Sequence, residues 1–230
     1  MNMNKDENVS SVRYAFEREA ALISDGNNRF PGFYQCKNRI RFALAPDFWN
    51  PVRHYYDWDK NLALKRAVEI YYRLPAKPSM LRLEMYPSVR YARNFRLHLS
   101  RLCKKAGLGE PAIITHTGPC VLPSLNRDCE EGEGTLLYWR LTPSFRPGTL
   151  FRELLFSENI LIYHRIGAVD PFFIDCINHV IYHPYDEGGA DVTALDAHTI
   201  FYLYRELNDW ILDFDRERID RVFAGMDGST

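Results

Sequence analysis

The sequence lacks the motifs by which several common enzyme classes are recognised. It contains no glycine-rich phosphate loop, no G-x-G-x-x-G dinucleotide fingerprint, no H-E-x-x-H zinc motif and no G-x-S-x-G nucleophile elbow. These absences leave no pattern typical of nucleotide-dependent enzymes, zinc proteases or α/β-hydrolases. We therefore expect no cofactor.

Cysteine is scarce, and long apolar runs are absent. The five cysteines are an odd number without a regular framework, which favours a reducing compartment, so we predict a cytoplasmic protein. No apolar run approaches the roughly 20 residues of a membrane-spanning helix, and the start MNMNKDENVSS has no apolar signal core. We expect no membrane partner.

The composition is that of a folded globular protein. Of the 230 residues 46% are hydrophobic and 14% aromatic, which is enough for one substantial core. The sequence shows no internal repeat and no linker that separates two parts. We predict a single domain over residues 1–230.

Apolar periodicity predicts an α+β fold. Alternating residues mark strands near residues 40–44, 81–85 and 137–141, and FFIDC, HVIYH and ADVTA follow one another as a three-stranded meander. Helical periodicity marks the segments beginning at Ser11 and covering residues 63–74, 90–106 and 149–156, followed by two C-terminal helices. The expected architecture is a mainly antiparallel sheet with helices packed on it. We predict loops at 46–59 and 107–133.

The two C-terminal helices have recognisable starting signals. Asp196 and Asp215 each stand where a side chain caps a helix N-terminus. Phe214 and Ile219 occupy the two positions of a hydrophobic staple around the second cap. We expect both aspartates to cap, and Phe214 to pack on Ile219.

Charge is unevenly distributed although the net charge is only −1. Residues 82–105 contain seven basic residues against Glu84, whereas residues 170–215 contain ten acidic residues against Arg205. The acidic segment predicts a surface for a basic protein partner. The basic helix, with Arg93, Arg101 and Lys104, is the one candidate for nucleic-acid phosphates, but its arginines do not interleave with aromatic residues, which argues against nucleic acid.

The stretch IYHPYDEGGADVTALD has two interpretations. His183, Asp186 and Asp191 carry groups that bind metals or act as general bases, which suggests a hydrolase or metal-dependent enzyme. Pro184, Asp186 and the glycine pair are also what a tight connection between strands needs. The turn explains most of these residues, so we expect no catalytic or metal site and keep the enzyme as the alternative.

A second group of potential metal ligands is less regular. His116, Cys120 and Cys129 could supply three zinc ligands. Their spacing fits no zinc knuckle and no fourth ligand is evident, which favours a variable loop.

The segments YHPYDEGGADV and NDWILDFDRERID together resemble the signature of a bacterial family known as domain of unknown function 3885. The resemblance lies in residues 170–225, with weaker likeness in IRFALA and KRAVEIYYRL. One departure is Glu187-Gly188, where the family pattern has Asp-Arg, so any role of that arginine is in doubt here. The matching residues of the signature are Tyr182, His183, Tyr185, Asp186, Gly189, Asp191, Val192, Asn208, Asp209, Trp210, Leu212, Asp213, Asp215 and Arg216.

The resemblance brings no known activity. By analogy, small single-domain α+β proteins of this kind resemble immunity proteins, which block a bacterial toxin by binding it. We therefore expect a non-enzymatic intracellular binding protein, with an immunity protein as the specific form, that uses an acidic C-terminal surface. The candidate partner-binding residues are Tyr185, Asp186, Glu187, Asp191, Asp209 and Asp213.

Overall fold

The computed structural model describes residues 5–24, 36–50, 55–86, 92–118, 132–154, 168–185 and 188–226. The strands in these ranges are β1 Asn38–Ala43, β2 Asp47–Asn50, β3 Tyr55–Trp58, β4 Met80–Tyr86, β5 Ala112–Gly118, β6 Gly132–Arg140, β7 Ala168–Asp175, β8 Val180–Pro184 and β9 Gly189–Ala194. The α-helices are α1 Lys5–Ile23, α2 Lys60–Arg73, α3 Ala92–Ala106, α4 Pro147–Leu154, α5 Phe201–Glu206 and α6 Arg216–Phe223. Short 3₁₀ turns cover Ala197–Ile200, Asn208–Trp210 and Asp213–Asp215.

Seven strands form one sheet in the order β1-β9-β8-β7-β4-β6-β5. Every neighbouring pair is antiparallel, and β7, β8 and β9 follow one another as the predicted meander. The first strand therefore pairs with the ninth, so the sheet joins segments about 150 residues apart in the chain. This architecture, with helices packed on an antiparallel sheet and two helices at the C-terminal end, confirms the predicted α+β fold.

One face of the sheet carries the larger apolar core. Alternate strand residues such as Phe42, Leu83, Phe173 and Tyr182 are buried there against the helices α2 to α6. The Tyr182 hydroxyl donates a hydrogen bond of 2.8 Å to the carbonyl oxygen of Ala67 in α2. The apolar face of the strands and the apolar faces of the helices thus pack together in one core.

The opposite face is covered in part by α1. The helix buries an apolar stripe against side chains of the sheet, formed by Val12, Phe16, Ala20 and Ile23. The rings of Phe16 and Tyr138 meet edge to face with centroids 5.6 Å apart. Because α1 packs on this face, it also encloses polar strand residues that alternate with the apolar residues of the main core. None of the described helices is both long and apolar enough to cross a membrane.

Two of the predicted loops contain strands. Within 46–59, β2 and β3 form a separate antiparallel ribbon, and within 107–133 the sequence AIITHTG forms β5 against β6. The prediction was wrong because it gave Pro and Gly more weight than the aromatic and β-branched residues, whose strand preference is realised on pairing. His116 lies in β5, whereas Cys120 and Cys129 fall outside the described residues.

The two predicted helix caps have different outcomes. Asp196 accepts a hydrogen bond of 3.0 Å from the backbone N–H of His198 and caps its turn as expected. Asp215 stands at the N-cap position of α6, but its side chain makes no capping bond and is buried against Arg41. Phe214 is 85% exposed, so the expected staple with Ile219 is also wrong. Both differences have one reason: the Asp215 carboxylate turns toward Arg41 in the interior instead of toward the N-terminus of α6.

Gly107 at the end of α3 gives a stability prediction with a matched control. Its φ is +70°, and a Cβ there would overlap the carbonyl oxygen of Ser144, whereas a Cβ on Gly109 would meet nothing within 4 Å. We expect Gly107→Ala to lower the free energy of unfolding by at least about 1 kcal/mol, and Gly109→Ala to change it by less than about 0.5 kcal/mol. Urea unfolding measures the free energy of both variants. Equal losses would contradict the close contact of Gly107 with Ser144.

Candidate functional site

A row of polar and aromatic side chains crosses the sheet on the face that carries α1. Arg41 of β1 is opposite Asp191 of β9, and Asp191 is opposite His183 of β8. The imidazole of His183 stacks on Phe172 of β7, which is opposite Arg82 of β4. The register of the strands therefore brings ionisable groups from four strands into one line.

These groups belong to a larger set that we call the charged layer. Its members share this sheet face or contact it, and six of the seven are buried, while Arg41 is largely enclosed. Removing a charge from water costs several kcal/mol unless a partner offsets it, so their arrangement is decided by their pairing. The charged layer consists of Arg41, Arg82, Glu84, Asp170, His183, Asp191 and Asp215.

Arg41 bridges two buried carboxylates. Its Nε and Nη2 donate to the two oxygens of Asp191 at 2.7 and 2.9 Å, while its Nη1 donates to Oδ2 of Asp215 at 3.2 Å. Only the planar guanidinium fork can serve both partners at once. Burial raises the pKa of Asp191, and the hydrogen bonds and charge of Arg41 oppose that rise.

The main chain of Arg41 also binds the C-terminal segment. Its carbonyl oxygen accepts a hydrogen bond of 2.9 Å from the N–H of Leu212, and Phe42 forms an antiparallel bridge with Ile211. This segment therefore covers the outer edge of β1, which protects an edge strand from pairing with other chains. We call these contacts, together with the pairs to Asp191 and Asp215, the Arg41 clasp.

His183 is fixed by contacts on two sides. Its Nε2 lies 3.1 Å from Oδ1 of Asp170, and its ring stacks on Phe172 with centroids 4.0 Å apart. The guanidinium of Arg82 lies 4.6 Å from the centre of the same Phe172 ring, in cation–π distance. Tyr185 lies 5.5 Å from the imidazole. The histidine is thus held as an internal part of the charged layer.

The residues of the predicted enzyme site are only partly brought together. His183 and Asp191 are neighbours across β8 and β9, but they hydrogen-bond to Asp170 and Arg41. Asp186 lies outside the described residues. Within the described ranges, no three His, Cys, Asp or Glu side chains are placed to hold a metal ion.

The predicted partner-binding residues differ in their exposure. Asp209 and Asp213 are exposed, Tyr185 is half-buried, and Asp191 is buried in the Arg41 clasp. Asp186 and Glu187 lie outside the described residues. Four of the eight acidic residues that the structure describes in the segment 170–215 are internal, so its acidic surface is smaller than its sequence suggests. These four are Asp170, Asp175, Asp191 and Asp215.

The basic helix α3 is amphipathic as predicted. Arg101 and Lys104 are exposed and Leu99 is buried, while the side chain of Arg93 falls outside the described set. Lys105 forms an ion pair of 2.8 Å with Glu153 of α4. A partly neutralised exposed face of this kind adds no support for a nucleic-acid partner.

Sequence reasoning missed Arg41, Arg82 and Glu84. Each alternates with buried apolar residues, which is the pattern of a strand with one face in water. The two-residue spacing of Arg39 with Arg41, and of Arg82 with Glu84, was the available signal. This spacing indicates buried charges only when the strand register is known and α1 is seen to cover the same face of the sheet.

The comparison with protein families extends the resemblance far beyond the C-terminal third. A model described as Domain of unknown function (DUF3885) matches residues 20–215. The chain belongs to this family. No curated protein and no solved structure matches it. The DUF3885 match extends from before Arg41 to Asp215, so it contains all seven residues of the charged layer.

The C-terminal residues that carry the resemblance have a clear structural role in this chain. Leu212 and Asp215 belong to the Arg41 clasp. Arg216 donates to Asn208 Oδ1 at 3.2 Å and to the Asn208 carbonyl at 3.0 Å, and it pairs with Asp213 at 3.2 Å. These residues therefore hold the C-terminal segment where it folds back on β1.

Removing the buried guanidinium should cost much more than removing an exposed one. In Arg41→Met the buried Asp191 loses the guanidinium that binds both of its oxygens, and the buried Asp215 is left with its longer pair to Arg218 at 3.8 Å. We expect the free energy of unfolding to fall by about 3 kcal/mol. In Arg73→Met the lost pairs with Glu69 and Glu206 are exposed, and we expect a loss below about 1 kcal/mol. Denaturant unfolding at neutral pH compares them, and a similar loss for both variants would count against the clasp.

Proposed function

We propose that this DUF3885 protein is a non-enzymatic binding protein that engages a basic protein partner through its C-terminal segment, as an immunity protein engages a toxin. The observation that carries the proposal is the outward position of Phe214. Its ring is 85% exposed, although the next residue, Asp215, is buried and α6 begins immediately after it. An apolar ring held in water on an anchored turn is the kind of group that a partner buries.

Two acidic residues lie on the same anchored segment. Arg216 binds both Asn208 and Asp213, so one guanidinium joins the turn Asn208–Trp210 to the turn Asp213–Asp215. Asp209 lies in the first turn and is exposed, and the side chain of Asp213 in the second is 96% exposed. We call Asp209, Asp213 and Phe214 the Phe214 surface.

The chemistry of the Phe214 surface defines its partner. An aromatic ring supplies buried apolar area in a complex, and carboxylates around it favour a partner with Lys or Arg at the rim of an apolar pocket. The segment that carries the ring is tied to the sheet before binding. A preorganised surface loses less conformational entropy on association, as a tight inhibitor requires.

The environment of the charged layer supports binding rather than catalysis. His183 and Asp191 are buried and engaged with Asp170 and Arg41. Their polar atoms serve internal pairs that connect strands and the C-terminal segment. Among the large apolar side chains of the described ranges Phe214 is the most exposed, and the exposed Asp213 precedes it directly in the chain.

Binding to the product of the adjacent gene tests the proposal. We expect Phe214→Ser to weaken the complex by about tenfold or more, since a buried aromatic anchor is lost. The double variant Asp209→Lys with Asp213→Lys should slow association, most strongly at low salt. Isothermal titration and surface plasmon resonance measure the two effects, and protection from toxicity in cells gives a functional readout.

Ile177→Ser is the matched control for Phe214→Ser. Ile177 is 78% exposed in the turn between β7 and β8, so its replacement removes a similar apolar group elsewhere. The affinity of Ile177→Ser for the partner should stay within about twofold of that of the unmodified protein. Equal losses for the two variants, or no binding and no protection by the unmodified protein, would contradict the proposal.

The alternative function, a hydrolase or metal-dependent enzyme at His183, Asp186 and Asp191, is supported by the direct pairing of His183 with Asp191 across two strands. It predicts bound metal in the purified protein and loss of the cellular phenotype in His183→Ala. Metal analysis without a bound ion, together with an unchanged phenotype in His183→Ala and Asp186→Ala, would remove it.

A further inference from the structure

We propose that Arg41 is a positioning residue for the Phe214 surface, holding the turn Asp213–Asp215 from both ends and thereby setting the affinity for the partner. The inference rests on the proposed function and adds how that surface is controlled. Arg41 lies on β1, far from the turn in the sequence, and its role is to act through Leu212 and Asp215.

Arg41 attaches the turn to β1 on both sides of Phe214. The carbonyl oxygen of Arg41 accepts the N–H of Leu212 at 2.9 Å, just before the turn. Its Nη1 donates to Oδ2 of Asp215 at 3.2 Å, at the end of the turn. Phe214 lies between these two points, so its backbone is held on either side by a single strand residue.

The turn has few bonds of its own. The Asp215 N–H donates to the Leu212 carbonyl at 3.1 Å, and the Arg216 N–H donates to the Asp213 carbonyl. A 3₁₀ turn of three residues is not stable by itself, because so few hydrogen bonds cannot offset the entropy of ordering it. Attachments to the rest of the protein therefore decide where Phe214 is held.

Asp191 gives the guanidinium its direction. Two hydrogen bonds to Nε and Nη2 fix the plane of the Arg41 side chain, which leaves Nη1 facing Asp215. Asp191 is itself fixed in β9, paired on one side with β1 and on the other with β8. The position of the turn is thus set by the paired strands β1 and β9 rather than by the exposed segment itself.

The test compares two buried carboxylates of the charged layer that differ in their contact with the turn. Asp215→Asn weakens the bond that Arg41 makes to the turn and leaves the Leu212 bond in place. Asp170→Asn alters an equally buried carboxylate that pairs with His183. Arg41→Lys is the conservative variant, because it keeps the charge but loses the planar fork that makes the three bonds to Asp191 and Asp215.

The first readout needs no partner. Amide hydrogen exchange at Asp215 reports the bond to Leu212, and exchange at Leu150, whose N–H binds Arg146 at the start of α4, reports a remote site. We expect Asp215→Asn and Arg41→Lys to speed exchange at Asp215 by about tenfold relative to Leu150. Asp170→Asn should leave the ratio of the exchange rates at Asp215 and Leu150 unchanged.

The second readout is the affinity for the partner, corrected for the folded fraction. Asp215→Asn and Arg41→Lys should weaken binding by about tenfold, whereas Asp170→Asn should stay within about twofold. Equal exchange ratios or equal affinities for Asp215→Asn and Asp170→Asn would overturn the positioning role. If the unmodified protein binds no partner, the proposed function fails, and the exchange ratio alone still decides whether Arg41 holds the turn.

Discussion

The guanidinium of Arg41 is the point at which the two ends of the fold meet. It lies on the first strand, binds Asp191 on the last strand and reaches Asp215 at the start of the last helix. Its own main chain holds Leu212. Because burial makes an unpaired carboxylate costly, the position of the C-terminal segment is tied to the correct pairing of β1 with β9.

The sheet uses its two faces differently. The face under α2 to α6 is apolar and follows ordinary core packing, whereas the face shared with α1 combines a small apolar cluster with the charged layer. A strand shifted by one residue would bring Arg41 or Arg82 into the apolar core. We infer that the charged layer specifies the register of these strands.

Sequence patterns predicted the antiparallel meander, the main helices and the Asp196 cap because each depends on residues that are close in the chain. They did not predict β5, the role of Arg41 or the exposure of Phe214. These depend on partners far away in the sequence: β6 for β5, and Asp191 with Asp215 for Arg41. The helix-start pattern predicted that Phe214 packs on Ile219. In the structure Asp215 turns inward to Arg41, and Phe214 is exposed.

The coupling between Arg41 and Asp215 is the central claim, and a double-mutant cycle measures it most directly. The cycle compares the free energies of unfolding of Arg41→Met, Asp215→Asn and the double variant with that of the unmodified protein. The clasp predicts an interaction energy of about 1–3 kcal/mol. Losses that add within about 0.3 kcal/mol would show that the two side chains act independently, and would contradict the account.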